Sequence, residues 1–345
     1  MSDISWPYGD RTLFDRPVDV LCLGNAIVDR LAQASTEQVR AADVEPGGMT
    51  LVDAKRAAEI GRAFVGWREM AGGSAANTAA GVASLGGAPA FAGAVGDDAL
   101  GALFASDLEK AGVACMVATV ASGGPTGVCH VLVSDTGGRS MATSLGAAGE
   151  LALSTVERAG IGNAQVVYFE GYLLDPPLGA LAVDRALELA KATSTLVALS
   201  LSDPFVVDRH RRRIRELAFG GAVDLLFGNE EEAIKLTEAG SRAEAVSVLA
   251  KAGVVAIVTL GAEGAMAITP HGEVRVQADP VERVEDTTGA GDLFAAGCMF
   301  GLTHGYDVQA SLRLAAFAAG EVISHLGARP EVSLREAAAK RSLMG

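Results

Sequence analysis

A chain of 345 residues, half of them apolar and 20% charged, is long enough to bury a large core and too apolar to be a disordered chain. Its formal net charge of −14 argues against a nucleic-acid partner, because that kind of binding draws on Lys and Arg set against phosphates. Cys22, Cys115, Cys129 and Cys298 have neither C-x-x-C spacing nor a His at ligand spacing, which disfavours a zinc site and a disulfide framework. With no basic, apolar leader and no run of roughly 18 apolar residues, a cytoplasmic protein without a membrane partner is expected.

The first apolar run, 18–23, reads as a buried strand that ends in the turn Gly24-Asn25. Asp29 follows it, and a carboxylate beside an amide suits a sugar diol, although a solvated helix cap accounts for it equally well. Residues 31–53 interrupt the pattern. Gly72-Gly73 then open an alanine-rich helix with Asn77 in its first turn, where a hydroxylated ligand can approach the backbone; close packing of small residues gives the same pattern. Residues 118–148 interrupt it again, and 128–134 with 139–144 read as a hairpin around Asp135-Thr136-Gly137-Gly138. From there strands at 166–169, 196–201, 223–227 and 254–260 alternate with helices at 181–192, 230–237 and 242–252. That alternation predicts βαβ units on a parallel sheet.

Each of these strands ends in a polar or glycine turn, which is where open α/β sheets bind ligands. The division expected is a large α/β part, 18–30, 54–117 and 149–345, with a small β lid from 31–53 and 118–148. The basic run 210–213 reads as a solvated helix face.

Two segments near these turns carry oxygen and anion chemistry. Asn229 and Glu232 lie three apart on one helical face and suit a hydrated Mg²⁺, or an ordinary acidic first turn. Asp286-Thr-Thr-Gly-Ala-Gly-Asp292 precedes an apolar helical run. Glycines there let free first-turn amides meet an anion, and Asp292 is placed to take a proton from an attacking hydroxyl; a glycine turn with an Asp cap is the plain alternative. No Lys follows a Gly, so there is no G-x-x-x-x-G-K-[ST] loop, and G-x-S-x-G, H-E-x-x-H and an early G-x-G-x-x-G are absent as well.

In this order the segments resemble the ribokinase-like (PfkB) carbohydrate and nucleoside kinase family over about residues 18–330. The resemblance rests on the opening strand with its Asp, GG-x-x-x-N at Gly72, G-x-V-G-x-D-x-x-G from Gly93 to Gly101, N-x-x-E at Asn229, Val258-Thr259-Leu260-Gly261 and D-T-x-G-A-G-D. It implies a ribokinase-like α/β/α sandwich with a mostly parallel central sheet and a small β-sheet lid, ATP as donor, Mg²⁺, and in many members K⁺. Carried over by motif, Asp292 is the base and Gly289, Ala290 and Gly291 form the anion hole. Asn25, Ile27, Asp29, Gly72, Gly73, Asn77 and Met141 contact the acceptor. Asn229, Thr259, Gly261 and Gly264 hold the nucleotide, Glu232 the Mg²⁺ through water, and Asp286 and Thr288 the K⁺.

Gly24-Asn25, Asn229-Glu-Glu-Glu-Ala and Arg139-Ser140-Met141 are similar to the adenosine kinase branch, in which Arg139 would reach the transferring phosphate from the lid. The turn 200–205 departs from the Asp-x-Asn of many sugar kinases. The resulting expectation is a monomer or homodimer that phosphorylates a small molecule, adenosine first. Ribose or fructose is the alternative acceptor, and a non-catalytic nucleoside or sugar sensor is the alternative of another class.

Overall fold

The computed structural model describes residues 5–8, 15–44, 49–120, 122–134 and 139–344. Its strands, in chain order, are β1 Val18–Leu23, β2 Ile27–Gln33, β3 Met49–Leu51, β4 Arg68–Ala71, β5 Pro89–Val95, β6 Ala114–Thr119 and β7 Gly127–Val133. They continue as β8 Arg139–Ser144, β9 Ala164–Glu170, β10 Leu196–Ser200, β11 Leu225–Asn229, β12 Val255–Thr259, β13 Ala265–Thr269 and β14 Gly272–Val276. Among the described residues a nine-stranded sheet runs β14-β13-β12-β11-β10-β9-β1-β5-β6. Pairing is parallel from β12 to β6, and β13 and β14 add an antiparallel edge.

The central strands are apolar on both faces because helices cover both. In β1, Val20 and Cys22 point into one core with Phe91, Tyr168 and Phe227. Leu21 and Leu23 point into the opposite core with Val167, Phe169 and Leu199. Burial of each such side chain stabilises by roughly 1.5–3 kcal/mol. On the first face the helix Ala290–Thr303 is pressed between two neighbours. A Cβ on Gly297 would meet Cα of Ala315 at 2.6 Å, and one on Gly81 would meet Cβ of Ala296 at 2.7 Å. Small residues therefore set how closely Ser74–Ser84 and Ala290–Thr303 approach, and their first turns open side by side.

A second, five-stranded sheet runs β3-β8-β7-β2-β4. It is wider than the expected lid. It begins at Ile27, immediately after the Gly24-Asn25 turn takes the chain off the first sheet, and it includes β4. Three of the four β4 residues, Arg68-Glu69-Met70, are not buried, so no apolar run marks that strand in the sequence. The helix Ala54–Ala63, expected in the large part, instead covers this sheet with Ile60 against Ala32, Leu132 and Ala142. The hairpin is β7 and β8, antiparallel with Val133 opposite Arg139; its turn, 135–138, lies outside the described residues. Among the described residues no helix is long and apolar enough to cross a membrane.

Candidate active site

A cavity of ≈ 500 Å³ lies at the carboxyl ends of the parallel strands, between the two sheets. Period-2 alternation decides which β2 residues reach it: Ile27 and Asp29 line the wall, while Val28 and Ala32 are buried in other cores. Of the residues expected to act, Asn25, Gly73, Asn77 and Met141 also line it. So do Asn229, Glu232, Thr259, Thr288, and the run from Gly289 through Asp292.

Gly289 closes the approach to the helix at φ +80°, and a Cβ there would fall 2.6 Å from the carbonyl oxygen of Ala328. The amides of Gly291 and Asp292, in the first turn, have no acceptor within the helix, and the helix dipole reinforces their pull on an anion. Asp292 is held by two donors: Ser74 Oγ donates to Oδ1 at 2.7 Å and Asn77 Nδ2 donates to Oδ2 at 3.1 Å. Burial pushes its carboxyl above the usual range, and those two hydrogen bonds pull it back.

Other expected residues act from behind the wall. Gly72 lies beneath Asp29, since a Cβ on it would stand 2.3 Å from the Asp29 Cγ. Gly261 (φ +58°) and Gly264 (φ +97°) shape the turn after β12 and do not line the cavity; a Cβ on Gly264 would meet the Val276 carbonyl at 2.1 Å. Asp286 also stands back. Its Oδ1 accepts from Thr288 N–H and Oγ1–H, and its Oδ2 accepts from Gly327 N–H at 2.9 Å, so it ties the glycine loop to the segment after the helix Val308–Val322. Arg139 opens β8, and its side chain lies outside the described residues.

Asn229 and Glu232 form a reciprocal capping box. Asn229 Oδ1 accepts from Glu232 N–H at 2.9 Å, and Glu232 accepts from Asn229 N–H at 3.0 Å and Nδ2 at 2.8 Å. Burial, with the charges of Asp203 and Glu231, pushes Glu232 up to about 7.

Sequence reasoning missed Glu170, Ser74 and Arg329. Glu170 ends β9 fully buried; Oε1 accepts from Asn25 N–H and Nδ2, and Oε2 accepts from Ala75 N–H at 2.8 Å. One carboxylate thereby fixes the β1 turn against the helix that carries Ser74 and Asn77. Burial, and less strongly Asp292, raises it to about 7. Its signal was available: a charged residue directly after an apolar run ending at Phe169. In the departing turn, Ser200, Ser202 and Asp203 line the cavity, and Ser202 holds φ +68° while its hydroxyl accepts from Gly171 N–H.

Residues 47–334 match the pfkB family carbohydrate kinase domain. The crystal structure of adenosine kinase from Sinorhizobium meliloti superposes with TM-score 0.88 at 41% identity, covering 94% of this chain and 99% of that one. That of a probable sugar kinase from Rhizobium etli CFN 42 superposes with TM-score 0.90 at 38% identity, covering 95% and 100%. The adenosine kinase of Saccharomyces cerevisiae is 28% identical over 328 residues, 89% of this chain and 95% of the yeast protein. Fold, site and these likenesses together define an ATP-dependent phosphotransferase that acts on nucleosides or sugars. The chain belongs to the PfkB family of carbohydrate kinases.

Proposed function

We propose that this kinase transfers the γ-phosphoryl group of ATP to the 5′-hydroxyl of adenosine, giving AMP and ADP, a purine-salvage reaction. The observation that carries the reading is the two-sided character of the cavity. Its second-sheet wall is mostly apolar, with Ile27, Met49, Leu51, Cys129 and Met141, Leu145 just beyond β8, and Asp29 and Thr143 as its polar breaks, whereas Asn25, Asn77 and Asp292 face it with polar groups. An aromatic base needs such an apolar slot and a ribose needs such partners; a free sugar has no use for the slot.

In this reading Asp29 and Asn77 hold the ribose hydroxyls, with Gly72 and Gly73 leaving room for the close approach. Asp292 takes the hydroxyl proton as the oxygen bonds to the γ-phosphorus and the bond to ADP breaks. The free amides of Gly291 and Asp292 meet the developing charge, the Ala290 N–H being given to the Thr287 carbonyl at 3.3 Å, and Arg139 is assigned to the same charge by its motif. Asn229 and Thr259 face the nucleotide, on the turn that Gly261 and Gly264 shape.

The described residues of the cavity wall include no Lys or Arg, so the charge of a triphosphate there would fall to Arg139 and to a metal cation. Glu232 suits Mg²⁺ bound through water, an ion that keeps part of its hydration and takes few protein ligands. Bound there, Mg²⁺ would neutralise phosphate charge. Asp286 and Thr288 supply oxygen ligands of the kind K⁺ takes, and turnover measured with K⁺ replaced by choline tests that part.

The match to a probable sugar kinase favours a second reading, phosphorylation of a free sugar. A panel of adenosine, inosine, guanosine, ribose and fructose with Mg-ATP separates the two. Adenosine should exceed either sugar in kcat/KM by about 100-fold or more, the discrimination expected when an apolar pocket loses its occupant. Preference for ribose or fructose would sink the adenosine assignment.

A further inference from the structure

Arg329 lies between the helices Val308–Val322 and Leu334–Lys340 and does not line the cavity. It is nonetheless largely enclosed, its side chain 15% exposed, with Nη1 on Oδ2 of Asp107 at 3.0 Å and Nε on Oδ1 of Asn77 at 3.3 Å. Its Nη2 has no hydrogen-bond partner among the described residues. Asp107 Oδ2 also accepts from Ala71 N–H at 3.0 Å, beside Gly72-Gly73. A chain of contacts thus runs Asp107, Arg329, Asn77, Asp292.

The two ends of the Asn77 amide are nearly isosteric but chemically opposite, and what surrounds them decides which way the group faces. A guanidinium only donates, so of the two ends of the amide only the carbonyl oxygen can accept from it. That leaves Nδ2 to face Asp292 Oδ2, where it donates at 3.1 Å. Flipped, the amide would set a carbonyl oxygen against a carboxylate and an N–H₂ against a guanidinium, both repulsive.

We propose that Arg329 is a positioning residue for phosphoryl transfer: it locks the Asn77 amide so that Nδ2 holds and orients the Asp292 carboxylate. The inference rests on Asp292 being the base, and the test distinguishes the two. Other titratable groups facing Asp292 are Glu170 and Tyr168 on β9, Tyr172 in the turn after it, and Cys22 on β1. Asp29 acts electrostatically on Arg329 from the acceptor side.

The experiment measures single-turnover phosphorylation by the full chain from pH 5.5 to 9. Arg329→Met should slow the step by about 10- to 100-fold, the scale expected when a reacting group loses its alignment, a larger change than in acceptor KM, which moves only through the Asn77 contact to the ribose. Its acid limb should move to higher pH, because Asp292 loses a donor to its charged form. In an Asn77→Ala background, Arg329→Met should change the rate less than about 3-fold, since the group it acts through is gone.

Arg329→Lys keeps a charge beside Asp107 but lacks the planar fork; it should shift rate and limb the same way by a smaller step, and it carries the test if Arg329→Met does not fold. An unmoved acid limb in both variants, or an equal loss with and without Asn77, would overturn the proposal while leaving the base assignment intact. Near-normal turnover by Asp292→Asn in the same assay would remove the base assignment and this inference with it.

Discussion

Asp29 occupies the space a side chain at Gly72 would need, since a Cβ there would stand 2.3 Å from its Cγ. Gly72→Ala must therefore push the carboxylate off its present position, which the proposed reaction uses to grip the acceptor. Steady-state kinetics should show acceptor KM raised by about 10- to 100-fold, the loss expected for a charge-assisted hydrogen bond, with ATP KM unchanged. An unchanged acceptor KM would remove Asp29 from the acceptor site. Gly72, Asp29, Asn77 and Asp292 were legible because each lies in a local pattern, a glycine step before a helix or a turn after a strand. Ser74 and Arg329 were not, and Glu170 showed only as a charge at the end of an apolar run, with nothing to name its partners. Ser74, Glu170 and Arg329 act through contacts 218, 95 and 252 residues distant in sequence, and no spacing rule spans such gaps.

At the scale of elements, β7 carries a contradiction that can be measured. His130 faces away from the cavity, 1% exposed, edge-on to Trp67 at 4.9 Å and beside Arg30. Neither ring nitrogen has a hydrogen-bond partner among the described residues. Burial, then the Arg30 charge, lowers it from 6.5 to about 4, so the folded chain refuses a proton that the unfolded chain takes up. Stability from this residue is therefore present above about 6.5 and lost as pH falls toward about 4. His130→Leu should raise the melting temperature at pH 5 by more than at pH 8; equal shifts at both would contradict this. The hairpin around His130 was readable because β7 is an apolar run and Gly137-Gly138 follow it in the sequence. β4 was not, being four residues long and largely unburied, and it gains its place by pairing with β2 from Val28 to Leu31 and by the Ala71 N–H donating to Asp107.

Across the whole molecule, the nine-stranded sheet and its two helical layers form a close-packed floor, and the five-stranded sheet forms the opposite wall. The parallel core and its ligand-binding edge were predictable from the alternation of apolar runs and helices. The wider second sheet was not, because it begins where β1 ends and borrows residues on both sides of the helix Ala54–Ala63. Only the folded arrangement brings Asp292, the first-turn amides, Asn77 and Asp29 to one cavity. The proposed function depends on that convergence and above all on Asp292 accepting a proton. The most direct measurement is single-turnover phosphorylation of adenosine by Asp292→Asn beside adenosine binding by calorimetry. The rate should fall by about 10²- to 10⁴-fold, the usual contribution of a positioned base, with the dissociation constant within about 3-fold of the unaltered chain. Turnover within a few-fold of normal, in a variant that binds adenosine as tightly, would contradict the account.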